Sequence, residues 1–151
     1  MKTKGFTLVE LLVVITIIGI LSSIGLSTFT SAQIKSRDAK RKTQLKQLAD
    51  AFEAYYNDHG GYPAAGDIDL LSGAVFTDGK TVYMVKLPAD PTQGLAYSYL
   101  PAADFKSFQI YARLENSNDP GLLTFTSPPA CGTKECNYGI SSSNTTPGTG
   151  R

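Results

Sequence analysis

From Phe6 to Phe29 the chain is apolar almost without a break, and the one charged side chain in that run is Glu10. At about 1.5 Å per helical residue the run is roughly 36 Å long, enough to cross the hydrocarbon core of a bilayer. Beyond Phe29 the pattern turns amphipathic. Ile34, Leu45, Leu48, Phe52 and Tyr55 recur at mixed three- and four-residue spacing, with Arg41 in register between the first two. No stop signal intervenes before Gly60, and Ala39 to Tyr56 are mostly good helix formers. The pattern predicts one helix from about Phe6 to Asn57, closed by Asp58-His59-Gly60-Gly61. Its first half is apolar all round, and its second half has one face for a globular domain.

From Tyr62 onward the texture is that of short elements between turns. Tyr62-Pro63-Ala64-Ala65-Gly66 reads as a turn or loop, Ile68 to Leu71 as a short helical turn, and Val82 to Leu87 as a short helix or a strand. Two prolines punctuate the turn Leu87-Pro88-Ala89-Asp90-Pro91-Thr92. Ala96 to Leu100 and Phe108 to Leu114 read as strands, the second with Phe108, Ile110, Ala112 and Leu114 on one face. Pro101 to Lys106 would close them into an antiparallel hairpin. Asn116 to Gly121 is a loop, and Cys136 to Ser141 a candidate third strand. Ser142 to Arg151 holds only Ser, Thr, Gly, Pro, Asn and one Arg, too polar to pack, and is expected to be mobile. The organisation predicted is 1–5 leader, 6–29 membrane and core helix, 30–59 amphipathic continuation, 60–141 small sheet domain and 142–151 tail.

Composition narrows the function. Once the helix is set aside, about 90 residues remain, enough for one small domain. The formal net charge is +1, which makes no overall electrostatic case for a nucleic-acid partner. With His59 the only histidine, and that in a turn-like stretch, no serine or cysteine has an obvious nucleophile partner. The prior for an enzyme falls accordingly, and no catalytic residue is assigned. Cys131 and Cys136 are too few for a disulfide scaffold or a four-cysteine zinc site. In an exported domain a Cys131–Cys136 disulfide would close a small loop through Gly132-Thr133-Lys134-Glu135. Two free thiols or part of a metal site are the alternatives.

Glu10 is the energetic anomaly. An ionisable group at membrane depth costs on the order of 2.5–3.5 kcal/mol on insertion scales and calls for a partner. The residues before it are equally distinctive. Met1-Lys2-Thr3-Lys4 is a short basic leader, and the small residue Gly5 stands before the apolar run, where an ordinary secretory signal has its cleavage site after a run about half as long. Cleavage at Gly5 would remove only the leader and keep the hydrophobic segment.

Gly5-Phe6-Thr7-Leu8-Val9-Glu10 followed by an apolar helix resembles the class III leader of type IV pilins and pseudopilins. The resemblance implies cleavage by a prepilin peptidase between Gly5 and Phe6, and N-methylation of Phe6. It implies an assembly role for Glu10, one helical turn from the amine that cleavage creates, which neutralises that amine in its own chain or in a neighbour. It also implies an α+β, pilin-like fold in which the long N-terminal helix packs against a small antiparallel β-sheet. Tyr62-Pro63, Leu87-Pro88-Ala89-Asp90-Pro91 and the Tyr-rich strand after them look most like major pseudopilins of type II secretion. The sequence departs from the family in two places. The proline that many pilins carry near Ser27 is absent, leaving Gly19 and Gly25 to loosen the helix or ease its packing. The calcium loop of many major pseudopilins is reduced here to Asn118, Asp119 and Glu135, so no cofactor is expected, with calcium the one candidate.

The partners implied are further copies of the chain, minor pilins or pseudopilins, a prepilin peptidase, an inner-membrane platform protein and an assembly ATPase. The location implied is a single-pass cytoplasmic-membrane protein with its N-terminus inside and its sheet domain outside, later an extracytoplasmic filament. An adhesion or DNA-uptake pilin and a monomeric membrane-anchored domain are the competing readings. The basic cluster Lys35, Arg37, Lys40, Arg41, Lys42 and Lys46 fits least well. It reads as a solvated face, a headgroup or subunit contact, or a DNA site, with Asp38 placed to pair with Arg41 or Lys42 across one turn. By the positive-inside rule it would hold the C-terminal domain in the cytoplasm. The leader motif and the cysteine pair outweigh it.

Overall fold

A computed structural model describes residues 5–70 and 73–148. The leader residues 1–4, Leu71, Ser72 and residues 149–151 lie outside the described residues, as do the side chains of Ile24 and Ser27 and the surroundings of Gly25. The fold is α+β: one long helix, then short antiparallel strands, as expected.

Helix α1 spans Leu8–His59. It starts two residues later than periodicity suggested, because Thr7 is its N-cap, and it ends two residues later. The end is set by Gly60, whose φ of +69° is the left-handed conformation that closes helices, and whose N–H donates to the Tyr56 carbonyl at 2.7 Å. The chain divides into two units, one ending at Ser36 and one beginning at Arg37. In the first, the apolar side chains of α1 are exposed, from Leu8 at 79% to Phe29 at 61%. The helix is long and apolar enough to cross a membrane.

In the second unit, Leu45, Leu48 and Phe52 are fully buried, the three-then-four spacing of one helix face. They meet a three-stranded sheet formed by β3 (Ser98–Pro101), β4 (Phe108–Ala112) and β7 (Tyr138–Ser141), whose labels count β1 (Phe76–Thr77), β2 (Val82–Met84), β5 (Ala130–Cys131) and β6 (Lys134–Glu135) in chain order. The sheet order is β3-β4-β7, all antiparallel, with Tyr99 opposite Ile110 and Ile110 opposite Ile140. Phe108, Ile110, Ala112 and Leu114 are buried, so the inward face read from the sequence is the one used. Phe52 is the hub of this core. Its ring lies 4.6 Å from Tyr99, 5.5 Å from Phe76 and 5.6 Å from Phe108, the last two edge-on.

The other face of β4 carries Tyr111, packed with Phe125 and with Cys131 and Cys136, which are joined in a disulfide. The small β5–β6 hairpin holds that bridge. Its turn residue Gly132 has φ +72°, and a Cβ there would stand 2.3 Å from the Gly94 carbonyl, so only glycine fits.

Two expectations need correction. Ile68 to Leu70 do not form a helical turn, with Leu71 outside the described residues: a 3-10 turn occupies Ala65–Asp67, and Ile68 and Leu70 are buried beyond it. Of the two readings of Val82 to Leu87, the strand holds over Val82–Met84 as β2, paired with an unforeseen β1. Residues 142–148, expected to be too polar to pack, fold back on the sheet by hydrogen bonds. Ser142 is 2% exposed with its Oγ accepting from the Phe108 N–H, Gln109 Nε2 donates to the Thr146 carbonyl, and the Gly148 N–H donates to the Tyr111 hydroxyl. Polar residues pack well where backbone and amide groups satisfy one another.

Candidate assembly site

The N-terminal site is built by the start of α1. Gly5 and Phe6 are exposed, Phe6 at 79%, and nothing crowds Gly5. Thr7 and Glu10 then form a reciprocal capping box. The Thr7 N–H and hydroxyl each donate to Glu10 Oε2 at 2.8 Å, and the Glu10 N–H donates to Thr7 Oγ1 at 3.3 Å. The carboxylate that needed a partner has one in its own chain while Phe6 still carries a peptide bond. The sequence carries this signal, because Thr7-Leu8-Val9-Glu10 has the S/T-x-x-E spacing of a capping box. The capping box satisfies polar groups, but the apolar side chains around it remain uncovered.

The basic cluster is not one solvated face. Arg41 is 0% exposed, and all five of its N–H donors are used. Nε and Nη2 grip Asp90 side-on at 2.8 Å each, Nη2 also donates to Thr92 Oγ1, and Nη1 donates to Asp38 Oδ1 at 2.8 Å and Glu115 Oε1 at 2.7 Å. Arg37 forks onto Glu115 at 2.8 and 2.6 Å. Two guanidinium groups thus face three carboxylates. Asp38 additionally accepts the backbone N–H groups of Glu115 and Asn116, donors that help offset the net negative charge of the cluster. Hydrogen bonding from Arg37, aided by Arg41 and Thr92, holds the Glu115 carboxyl down at about 2 against the opposing effect of burial. Burial pulls the other way on Arg41 too, but Asp90 and Glu115 hold its guanidinium well above its usual range. The clue in the sequence was Arg41 falling on the apolar stripe of α1. Asp38–Arg41 was anticipated, whereas Asp90 and Glu115 were not.

Lys42 donates to both carboxylate oxygens of Asp119 at 2.7 Å and lies over the Tyr138 ring. Lys42, with help from the Gly121 N–H, keeps the Asp119 carboxyl below its usual range. Asp90 and Asp119 are also the turn formers their prolines suggested: each accepts the N–H two residues on, at 2.8 and 2.9 Å. The residues considered for calcium do not fit a cation. Asp119 is occupied by Lys42, Glu135 is exposed on β6, and among the described residues no group of three or more acidic, His or Cys side chains is placed to hold a metal.

Comparison with known proteins follows the same division of the chain. Residues 1–26 match the family model for the prokaryotic N-terminal methylation motif. The chain is 30% identical over 118 residues to the type II secretion system core protein G of Pseudomonas aeruginosa, covering 74% of this chain and 82% of that protein. It is 38% identical over 61 residues to the type IV major pilin protein PilA of Myxococcus xanthus, covering 40% of this chain and 28% of the pilin. To the fimbrial protein EcpC of Eikenella corrodens it is 36% identical over 92 residues, covering 61% and 59%. The chain therefore spans less than two thirds of the length of these last two relatives. No solved structure matches it.

Proposed function

Because the chain belongs to the family of type IV pilins and type II secretion pseudopilins, we propose that it is cut after Gly5, N-methylated at Phe6, and polymerised through the apolar half of α1 as the structural subunit of an extracytoplasmic filament. The observation that carries this reading is the junction at Gly5. A methylation motif over residues 1–26 opens directly into the apolar half of a helix whose described large apolar side chains between Leu8 and Phe29, among them Ile15, are exposed. Such a surface needs lipid before assembly and neighbouring copies after it. The chain does no chemistry of its own in this reading.

Before assembly the helix spans the cytoplasmic membrane once, with Gly5 inside and the sheet domain outside. Arg37, Arg41 and Lys42, half of the basic flank, are used structurally as partners of carboxylates in that domain. The partners are a prepilin peptidase, a platform protein, an assembly ATPase and minor pilins or pseudopilins. The same pairing removes the main support for a nucleic-acid contact. Co-expression of the full chain with a prepilin peptidase, followed by mass measurement, tests the reading. The expected product begins at Phe6 and carries one added methyl group. An uncut chain beginning at Met1 would overturn it.

A further inference from the structure

His59 closes α1, and two elements hold its ring. On α1 the ring stacks on Tyr55, with centroids 4.0 Å apart and planes 8° from parallel, and Nδ1 lies 3.1 Å from the Tyr55 carbonyl oxygen. From the turn between β1 and β2, Asp78 Oδ2 stands 3.3 Å from Nε2. Both ring nitrogens thus face oxygens that only accept. A neutral imidazole carries one N–H, so either tautomer turns a lone pair against one of the two oxygens, whereas the imidazolium presents a proton to each. The Tyr83 hydroxyl makes the shortage of protons plainer. It lies 2.8 Å from Asp58 Oδ2 and 3.2 Å from Asp78 Oδ2, one proton for two carboxylates. Those two charges stand at the carbonyl end of α1, where the helix dipole already favours a cation. Lys106 also reaches this end, from the turn between β3 and β4, but it donates to the Gly60 carbonyl and lies over the Tyr56 ring.

The β1–β2 hairpin depends on side chains for its seat on the helix. Its strands have two and three residues, and it is held by Phe76 against Phe52 and Tyr55 and by Tyr83 against Tyr55. We propose that His59 is a proton-operated clamp: charged, it fastens the β1–β2 hairpin to the end of α1, and its deprotonation releases that hold. The Thr81 and Lys80 N–H groups keep the Asp78 carboxyl below its usual range, so Asp78 stays charged where an imidazole exchanges its proton. The sign follows from the charged form being the one that is held. The added stability is present at low pH and is lost as pH rises and the imidazole gives up its proton. The clamp is a property of the folded domain and does not depend on the filament reading.

Amide exchange of the full chain in detergent, divided by the intrinsic exchange rate at each pH, reads the clamp. Between about pH 5 and about pH 8, protection of the β1 and β2 amides falls about threefold in the wild type, the scale of an exposed ion pair. The β3 and β4 amides keep their protection over the same range. His59→Gln flattens the β1–β2 profile, and so does Asp78→Asn, which retains an acceptor for the N–H groups of Lys80 and Thr81. Constant β1–β2 protection in the wild type, or the same fall in His59→Gln, would overturn the clamp. An equal fall in β3 and β4 would overturn it too, because the loss would then belong to the whole domain.

Discussion

Arg41 and Asp90 lie 49 positions apart and are joined by two parallel 2.8 Å hydrogen bonds, with neither side chain exposed to solvent. This pair fastens α1 to the turn before β3. Together with Glu115 and Asp38 it also fastens the helix to the chain that follows β4.

Removing Arg41 should therefore unfold the domain more readily than removing any other cation of the cluster. Arg41→Met leaves Asp90 and Asp38 buried without their counter-charge, an error that costs about 3–5 kcal/mol. Lys35→Met, at an exposed position, should cost less than about 0.5 kcal/mol. Urea denaturation of the full chain in detergent, followed by the near-ultraviolet signal of its tyrosines, measures both. Equal midpoints for the two variants would contradict the role given to Arg41.

Acid should loosen the same junction. The Glu115 carboxyl is held at about 2 in the folded chain, below its ordinary 4.5. A depressed carboxylate stabilises the fold fully above its unfolded value, and that stabilisation is lost as pH falls from about 4.5 through about 2. Thermal midpoints recorded between pH 6 and pH 2 should fall more steeply for the wild type than for Glu115→Gln in the acid part of the range. Parallel curves would show that the ion network contributes nothing to acid sensitivity.

At the other end of α1, Thr7 and Glu10 can be separated by experiment. Thr7→Val removes the N-cap hydroxyl and should cost about 1 kcal/mol at the helix start, with Thr7→Ser retaining it. Amide exchange over the first turn in micelles reads that difference. Glu10→Ala should leave cleavage after Gly5 intact and reduce filament recovery after shearing, because the variant has no carboxylate to meet a neighbour's amine. Normal filament yield from Glu10→Ala would remove the buried-charge argument.

The features legible in the sequence are those carried by local or periodic patterns. The apolar run, the amphipathic stripe from Leu45 to Phe52, the Phe108–Leu114 face and the hairpin around Pro101–Lys106 each repeat over enough positions to declare their structure. The capping box is equally local, since Thr7 and Glu10 are three residues apart.

What sequence alone determined about this protein is thus its one-dimensional plan: an N-terminal methylation motif, a membrane-length helix whose apolar run holds one carboxylate, and a small domain beyond it. Tertiary structure decided the rest. β1 has two residues and β2 three, too few to show a period, and they exist because each pairs with the other. Arg41 looked like one cation among six until folding brought Asp90 and Glu115 to it from 49 and 74 positions away. The physical reason is the same in both cases. A periodic pattern reports which face of an element is buried, while the partner across that face is chosen by chain closure over long separations, which no local pattern encodes.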